Sequence, residues 1–120
     1  MRNRIELVSN WFPPPRWKQH AAQSGYVYQY IFEGSQTPNE YEFLATSGPA
    51  MERRLRITLD AAILDDWSSR QRPLSEVESY GIAKMALLIM LDQSDTPLSL
   101  PREFRPDYAT IDSICRELDL

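Results

Sequence analysis

Tyr80 and Lys84 stand four residues apart in a stretch that reads as helix, so one turn brings a phenol and an ammonium side by side. Arg54, Arg56 and Thr58 alternate along a stretch that reads as strand, which puts two guanidiniums on one face; a guanidinium can bond guanine through two parallel contacts. Tyr26, Tyr28, Tyr30 and Phe32, with Tyr41 and Phe43 beyond, make an aromatic row of the kind on which single-stranded nucleic acid stacks. No basic residues interleave that row, so aromatic pairs packed under helices or against a second subunit are the expectation. Trp11, Phe12 and Trp17 surround Pro13-Pro14-Pro15 and could present a docking segment to a protein partner, or fold back as a lid with rings stacked on proline.

The other reactive groups offer less. His20 is the single histidine and has no second histidine or nearby cysteine to complete a metal pair, so a surface position is expected. Asp65 with Asp66, and Asp92 with Asp95, fall where caps and solvated faces are expected, and adjacent helix positions do not converge. Cys115 lies in an apolar helical stripe, where a thiol behaves as a small hydrophobe, and no Gly-x-Ser-x-Gly elbow occurs. A sole cysteine also excludes an intramolecular disulfide and a cysteine-built metal cluster within one chain, and it suits a reducing cytoplasm. The expectation is no catalytic set, no metal and no cofactor.

These side chains must be positioned by 120 residues, enough for one domain that buries roughly two-thirds of the surface its unfolded form exposes. The chain is 42% hydrophobic and 25% charged, with a net charge of −4, a balance that argues against a protein built chiefly to hold nucleic acid or anionic membrane. Met1 to Ser9 holds no apolar run of signal-peptide length, and the longest apolar run falls far short of the ~20 residues that span a bilayer. The expectation is a soluble, unprocessed protein without membrane association.

Ile5 and Leu7 alternate with Arg4 and Glu6 as a short opening strand, and Pro15 could open a helix that Gly25 closes. Three strands follow: Tyr26 to Glu33, Tyr41 to Ala45, and Arg54 to Leu59, joined by turns rich in glycine, proline and asparagine. Asp60 caps a helix over about 61–69 that gathers Ile63, Leu64 and Trp67. Ser75-x-x-Glu78 is a capping box, and it opens a central helix over 75–93 whose second half is apolar nearly all round. Gly81, with Ala83 and Ala86, suggests close approach of another backbone. The three prolines of 97–106 make an extended connection that can lay Leu98, Leu100 and Phe104 on the core, and Asp107 caps a last helix over 107–118 with Tyr108, Ile111, Cys115 and Leu118 on one stripe. Asp119, at the negative end of that helix, predicts fraying.

Two partial resemblances attach to these elements. Tyr80-Gly81-Ile82-Ala83-Lys84 resembles the Tyr-x-x-x-Lys pair of the short-chain dehydrogenases, in which the lysine lowers the tyrosine pKa for proton transfer. That resemblance implies a Rossmann fold with a glycine-rich phosphate loop, and the four glycines, Gly25, Gly34, Gly48 and Gly81, do not form one. The order strand, helix, turn, helix from Arg53 to Leu91 resembles the ribbon-helix-helix DNA-binding proteins, which would make Arg54, Arg56 and Thr58 the groove readers. Glu76 and Glu78 would oppose the phosphate that family holds at the start of its second helix, and the strand has two expected partners upstream where the family has an isolated one.

The reading is a single α+β domain over 1–120: an antiparallel three- or four-stranded meander with helices on one side. Val27, Ile31 and Leu44 lie opposite the tyrosine row, so both sheet faces carry large apolar groups and a homodimer is expected. The leading function is a non-catalytic cytoplasmic interaction or assembly protein; the alternative is DNA binding through Arg54 and Arg56. A small-molecule enzyme comes third and would require a deep pocket with converging polar groups.

Overall fold

Alternation of apolar and polar side chains produces a meander, and the computed structural model, which describes residues 16–35, 37–49 and 51–120, shows it. Strands β1 (Lys18–Ala21), β2 (Val27–Gly34), β3 (Glu40–Thr46) and β4 (Glu52–Thr58) pair antiparallel in sequence order. Helices α1 (Ala61–Arg70) and α2 (Glu76–Gln93) follow, then a 3-10 turn (Pro97–Ser99), a two-residue strand β5 (Glu103–Phe104) and helix α3 (Tyr108–Glu117). Among the described residues the sheet therefore has five strands, in the order β1-β2-β3-β4-β5, where three or four were expected.

Both additional strands have a physical reason. Of the stretch from Pro15 to Gly25, expected as a helix, the described part over 16–25 holds β1 and a turn instead. A helix that short is marginal alone, whereas Lys18 to Ala21 gains a full ladder against Val27 to Tyr30. Gly25, at φ 98°, supplies the left-handed residue the turn needs, and Ala22 N donates to the Tyr26 carbonyl at 2.8 Å. Strand β5 lies between Pro101 and Pro106, in the connection expected to be simply extended. It runs parallel to β4 with Arg56 opposite Glu103, and Arg56 N donates to the Arg102 carbonyl at 2.8 Å. The opening strand expected around Ile5 and Leu7, and the docking residues Trp11 and Phe12, lie outside the described residues.

The helices cover one face of the sheet. Tyr28, Tyr30, Phe43, Ala45, Leu55 and Ile57 project from that face and are buried against Ile82, Ala83, Ala86, Leu87, Met90 and Leu91 of α2 and the apolar stripe of α3. Burying each Leu or Ile side chain contributes about 1.5–3 kcal/mol, so α2 is the largest single contributor to the core. Trp67 ties α1 to α3: its ring is buried and its Nε1–H donates to Asp112 Oδ1 at 3.0 Å. No helix among the described residues is long and apolar enough to cross a membrane.

Every helix start matches its sequence signal. Asp60 accepts from Ala62 N and Ile63 N, and Asp107 from Thr110 N. At Ser75 the box is complete: Glu78 N donates to Ser75 Oγ at 3.1 Å and Ser75 N to Glu78 Oε1 at 2.9 Å. Arg72 adds an ion pair to Glu78 at 2.6 Å, and these donors together hold the Glu78 carboxyl down to about 2.

Three local expectations need correction. Gly81 faces no backbone: a Cβ built there would meet Leu118 Cδ1 at 3.6 Å, an ordinary contact. Asp119 does not mark a fraying end. It sits at φ 60°, and the bonds Asp119 N to Arg116 O and Leu120 N to Cys115 O close α3 in a Schellman motif, folding Leu120 back on the core. Leu98 points into solvent, while Leu100 and Phe104 turn inward.

Gly81→Ala should raise the unfolding free energy by about 0.5–1 kcal/mol in urea titration, because the added methyl finds room and the helix gains propensity. Glu78 is ionised in the fold down to about pH 2 but takes up its proton near 4.5 when unfolded, so its contribution is whole above pH 4.5 and drains away as pH falls toward 2. Thermal melts across that window should show a shallower acid loss for Glu78→Gln than for the parent chain.

Candidate functional site

Strand alternation that sends the core residues toward the helices sends their neighbours to the opposite face. Ile31 stands across from Leu44, Leu44 from Arg54, and Glu42 from Arg56, while Val27 pairs with Ala21 at the β1 end. Val27 is 46% exposed, and Ile31 and Leu44 are half-buried. This face is thus an apolar strip over β1 to β3 beside a charged strip over β3 to β5.

The charged strip is internally paired. Arg56 Nε donates to Glu42 Oε2 at 2.8 Å, and Arg54 Nε lies 3.6 Å from Glu33 Oε1. Thr58 Oγ1 donates to Glu103 Oε2 at 2.9 Å, and Arg105 reaches the same carboxylate at 3.3 Å. Exposed pairs of this kind contribute about 0–1 kcal/mol each, so they orient side chains more than they stabilise. Glu33, Glu40, Glu42, Glu52 and Glu103 share the face with Arg54 and Arg56, and Arg102 and Arg105 stand at its β5 edge, so the two signs of charge nearly balance.

The structure therefore brings Arg54 and Arg56 together on an accessible face but buries Thr58 at 6% exposure. Strand β4 is bonded on both edges, by β3 and β5, so it cannot pair with its copy in a second chain as the ribbon of a ribbon-helix-helix dimer does. Trp17, the one member of the aromatic docking segment within the described residues, is 41% exposed just before β1.

Tyr80 is a packing residue. Its ring lies 4.9 Å from Phe32, 6.3 Å from Tyr41 and 6.4 Å from Phe43, within the aromatic layer between sheet and α2. Burial pushes its phenol up, the reverse of what a lysine-activated tyrosine requires. Cys115 is 1% exposed, and burial lifts its thiol to about 11, which keeps it protonated and inert at neutral pH.

His20 is the residue that sequence reasoning placed wrongly. It is half-buried rather than on the surface, with Nε2 2.8 Å from Asp92 Oδ1 in the last turn of α2; Gln23 N donates to the same oxygen at 3.2 Å. The pair clamps β1 and its turn to the helix. The two residues are 72 apart, and only the reading of β1 as a strand, with His20 on the Tyr28 side, could have brought them together. Among the described residues no group of three or more His, Cys, Asp or Glu side chains could hold a metal.

The surface hollows are open to solvent. One of about 420 Å³ lies among Glu33, Gly34, Ser35, Glu42 and Arg54, and another of about 340 Å³ among Glu42, Arg54, Arg56, Arg102 and Glu103, both on the open sheet face. Two more adjoin at the starts of α1 and α2. No protein-family model matches this chain, and no curated protein or solved structure matches it.

Tyr28 is fully enclosed beside His20, and among the described residues its hydroxyl has no hydrogen-bond partner. An unpaired buried hydroxyl costs about 1–3 kcal/mol, so Tyr28→Phe should hold or raise the urea midpoint. A loss above about 1 kcal/mol would mean that the hydroxyl is satisfied.

Proposed function

We propose that this chain is a non-catalytic interaction or assembly protein of the cytoplasm, working as a homodimer whose protomers meet through the open sheet face. The observation that carries the reading is the half-covered sheet: Val27, Ile31 and Leu44 form an apolar strip on a face that no helix among the described residues packs against. Exposed apolar strips rimmed by charge are the usual surfaces of association. A two-fold contact uses the same patch on both copies, and Arg54 and Arg56 beside Glu33 and Glu42 give that patch both partners of each ion pair.

Magnitude sets the strength. Strands of four, eight, seven, seven and two residues present a face on the order of 450 Å², against about 800 Å² per partner in a standard interface. The dimer should therefore dissociate in the micromolar range.

Light scattering between about 1 and 500 μM should show a mass rising from one chain toward two. Ile31→Lys, which places a charge in the middle of the apolar strip, should hold the mass at one chain with the fold intact by circular dichroism. A single-chain mass for the parent protein throughout that range overturns the reading. Retention on DNA that falls steeply with salt would replace it with binding through Arg54 and Arg56.

A further inference from the structure

Where the β2–β3 turn meets α1 and the start of α2, two adjoining hollows of about 340 and 200 Å³ share Asn39, Leu74 and Ser79 as walls. Ser35, Pro38, Tyr41 and Glu76 complete the first, and Ala61, Leu64, Asp65 and Ser68 the second. The groove they form differs from the hollows of the sheet face in its charge. Among the described residues its charged walls are Glu76 and Asp65 and no lysine or arginine lines either half, whereas the sheet-face hollows mix carboxylates with guanidiniums, of which Arg54 and Arg56 pair with them.

The walls are built rather than incidental. Tyr41 is held at 6.2 Å from Phe32 and 6.3 Å from Tyr80, so its ring is a fixed surface of the first hollow. Glu76 is close enough that its charge adds to burial in raising the Tyr41 phenol. Asn39 takes a left-handed φ of 70° and its carbonyl accepts from Leu59 N at 2.8 Å, which anchors this wall of the groove to the end of β4.

Size selects the occupant. Sites for whole small molecules run from about 300 to 1,000 Å³; the first hollow, about 340 Å³, lies just inside that range and the second, about 200 Å³, below it. Alternate side chains of an extended backbone lie roughly 6.6–6.8 Å apart on one face, which suits two adjoining recesses. We propose that this groove docks an extended segment of a partner protein bearing two basic side chains at alternate positions, one toward Glu76 over the Tyr41 ring and one toward Asp65 over Leu64. The aliphatic stems cover Leu74 and Pro38 while the charged heads meet the carboxylates, and a guanidinium over Tyr41 adds a cation–π contact.

The test is amide chemical-shift titration of the full chain with a capped heptapeptide of alternating arginine and threonine, and with its glutamate–threonine counterpart. Saturable shifts centred on Asn39, Leu64, Leu74 and Ser79 with the basic peptide only are expected. Asp65→Asn combined with Glu76→Gln should weaken binding roughly tenfold, while Glu42→Gln on the sheet face should not change it. Each single variant, expected to lose about threefold, reports separately should the double variant lose helicity. Ile31→Lys should bind the peptide as the parent does, so a failure of self-association leaves this inference standing. Shifts centred on the sheet face, undiminished binding by the double variant, equal binding of the acidic peptide, or saturation of the same groove by spermidine at equal affinity would each overturn it.

Discussion

The enclosure of α2 is the constraint on which the rest of the structure depends. From Ile82 to Leu91 this helix is apolar on nearly every side, and in water it would have no stable place. The aromatic face of the meander takes one side of it and α3 takes another, through Gly81 against Leu118. The polar first turn, fixed by the Ser75–Glu78 box and Arg72, emerges at the surface, so one helix is both core and rim. The flanking elements sit where they do because each covers a part of this rod: α1 is locked to α3 by Trp67 and Asp112, and β1 is clamped to the far end of α2 by His20 and Asp92.

The same constraint makes the sheet chemically two-sided. Aromatic rings and branched side chains are spent on the α2 face, and what remains for the other face is a short apolar strip and a ladder of glutamates and arginines. Arg54 and Arg56 pair with Glu33 and Glu42 within their own sheet, so little of their charge is left over for a polyanion. The acidic groove at the helix starts meets that face at Ser35, which lines a hollow on each side, and takes its carboxylates from α1 and α2. The ladder mixes both signs of charge, whereas the charged walls of the groove are the carboxylates of Glu76 and Asp65.

Features decided by neighbours in sequence were legible, and those decided by distant pairing were not. The caps at Asp60, Ser75 and Asp107 need only three or four consecutive residues, and all three stand where the sequence placed them. The tyrosine row of β2 declared its strand through period-two alternation. Strand β1 did not: Lys-Gln-His-Ala carries no apolar alternation, and it is a strand only because β2 offers a ladder. Strand β5 is two residues between prolines, below any periodicity. The clamp from His20 to Asp92 spans most of the chain, and the groove draws its walls from four separate segments, none bearing a motif. Tyr80 and Lys84 show the converse hazard, a suggestive local spacing whose meaning was settled by the rings of Phe32, Tyr41 and Phe43.

The order of elements has a consequence for biogenesis. The meander is complete at Thr58, yet the helix that shields its aromatic side ends at Gln93. At about 5–20 residues per second a ribosome needs some seconds to bridge that gap. During that interval the nascent chain displays Tyr30, Phe43 and Leu55 as a bare slab. Yield in a living cell then turns on how quickly translation proceeds through α1, and slow codons there lengthen exposure to chaperones and to aggregation without altering a single contact of the finished molecule.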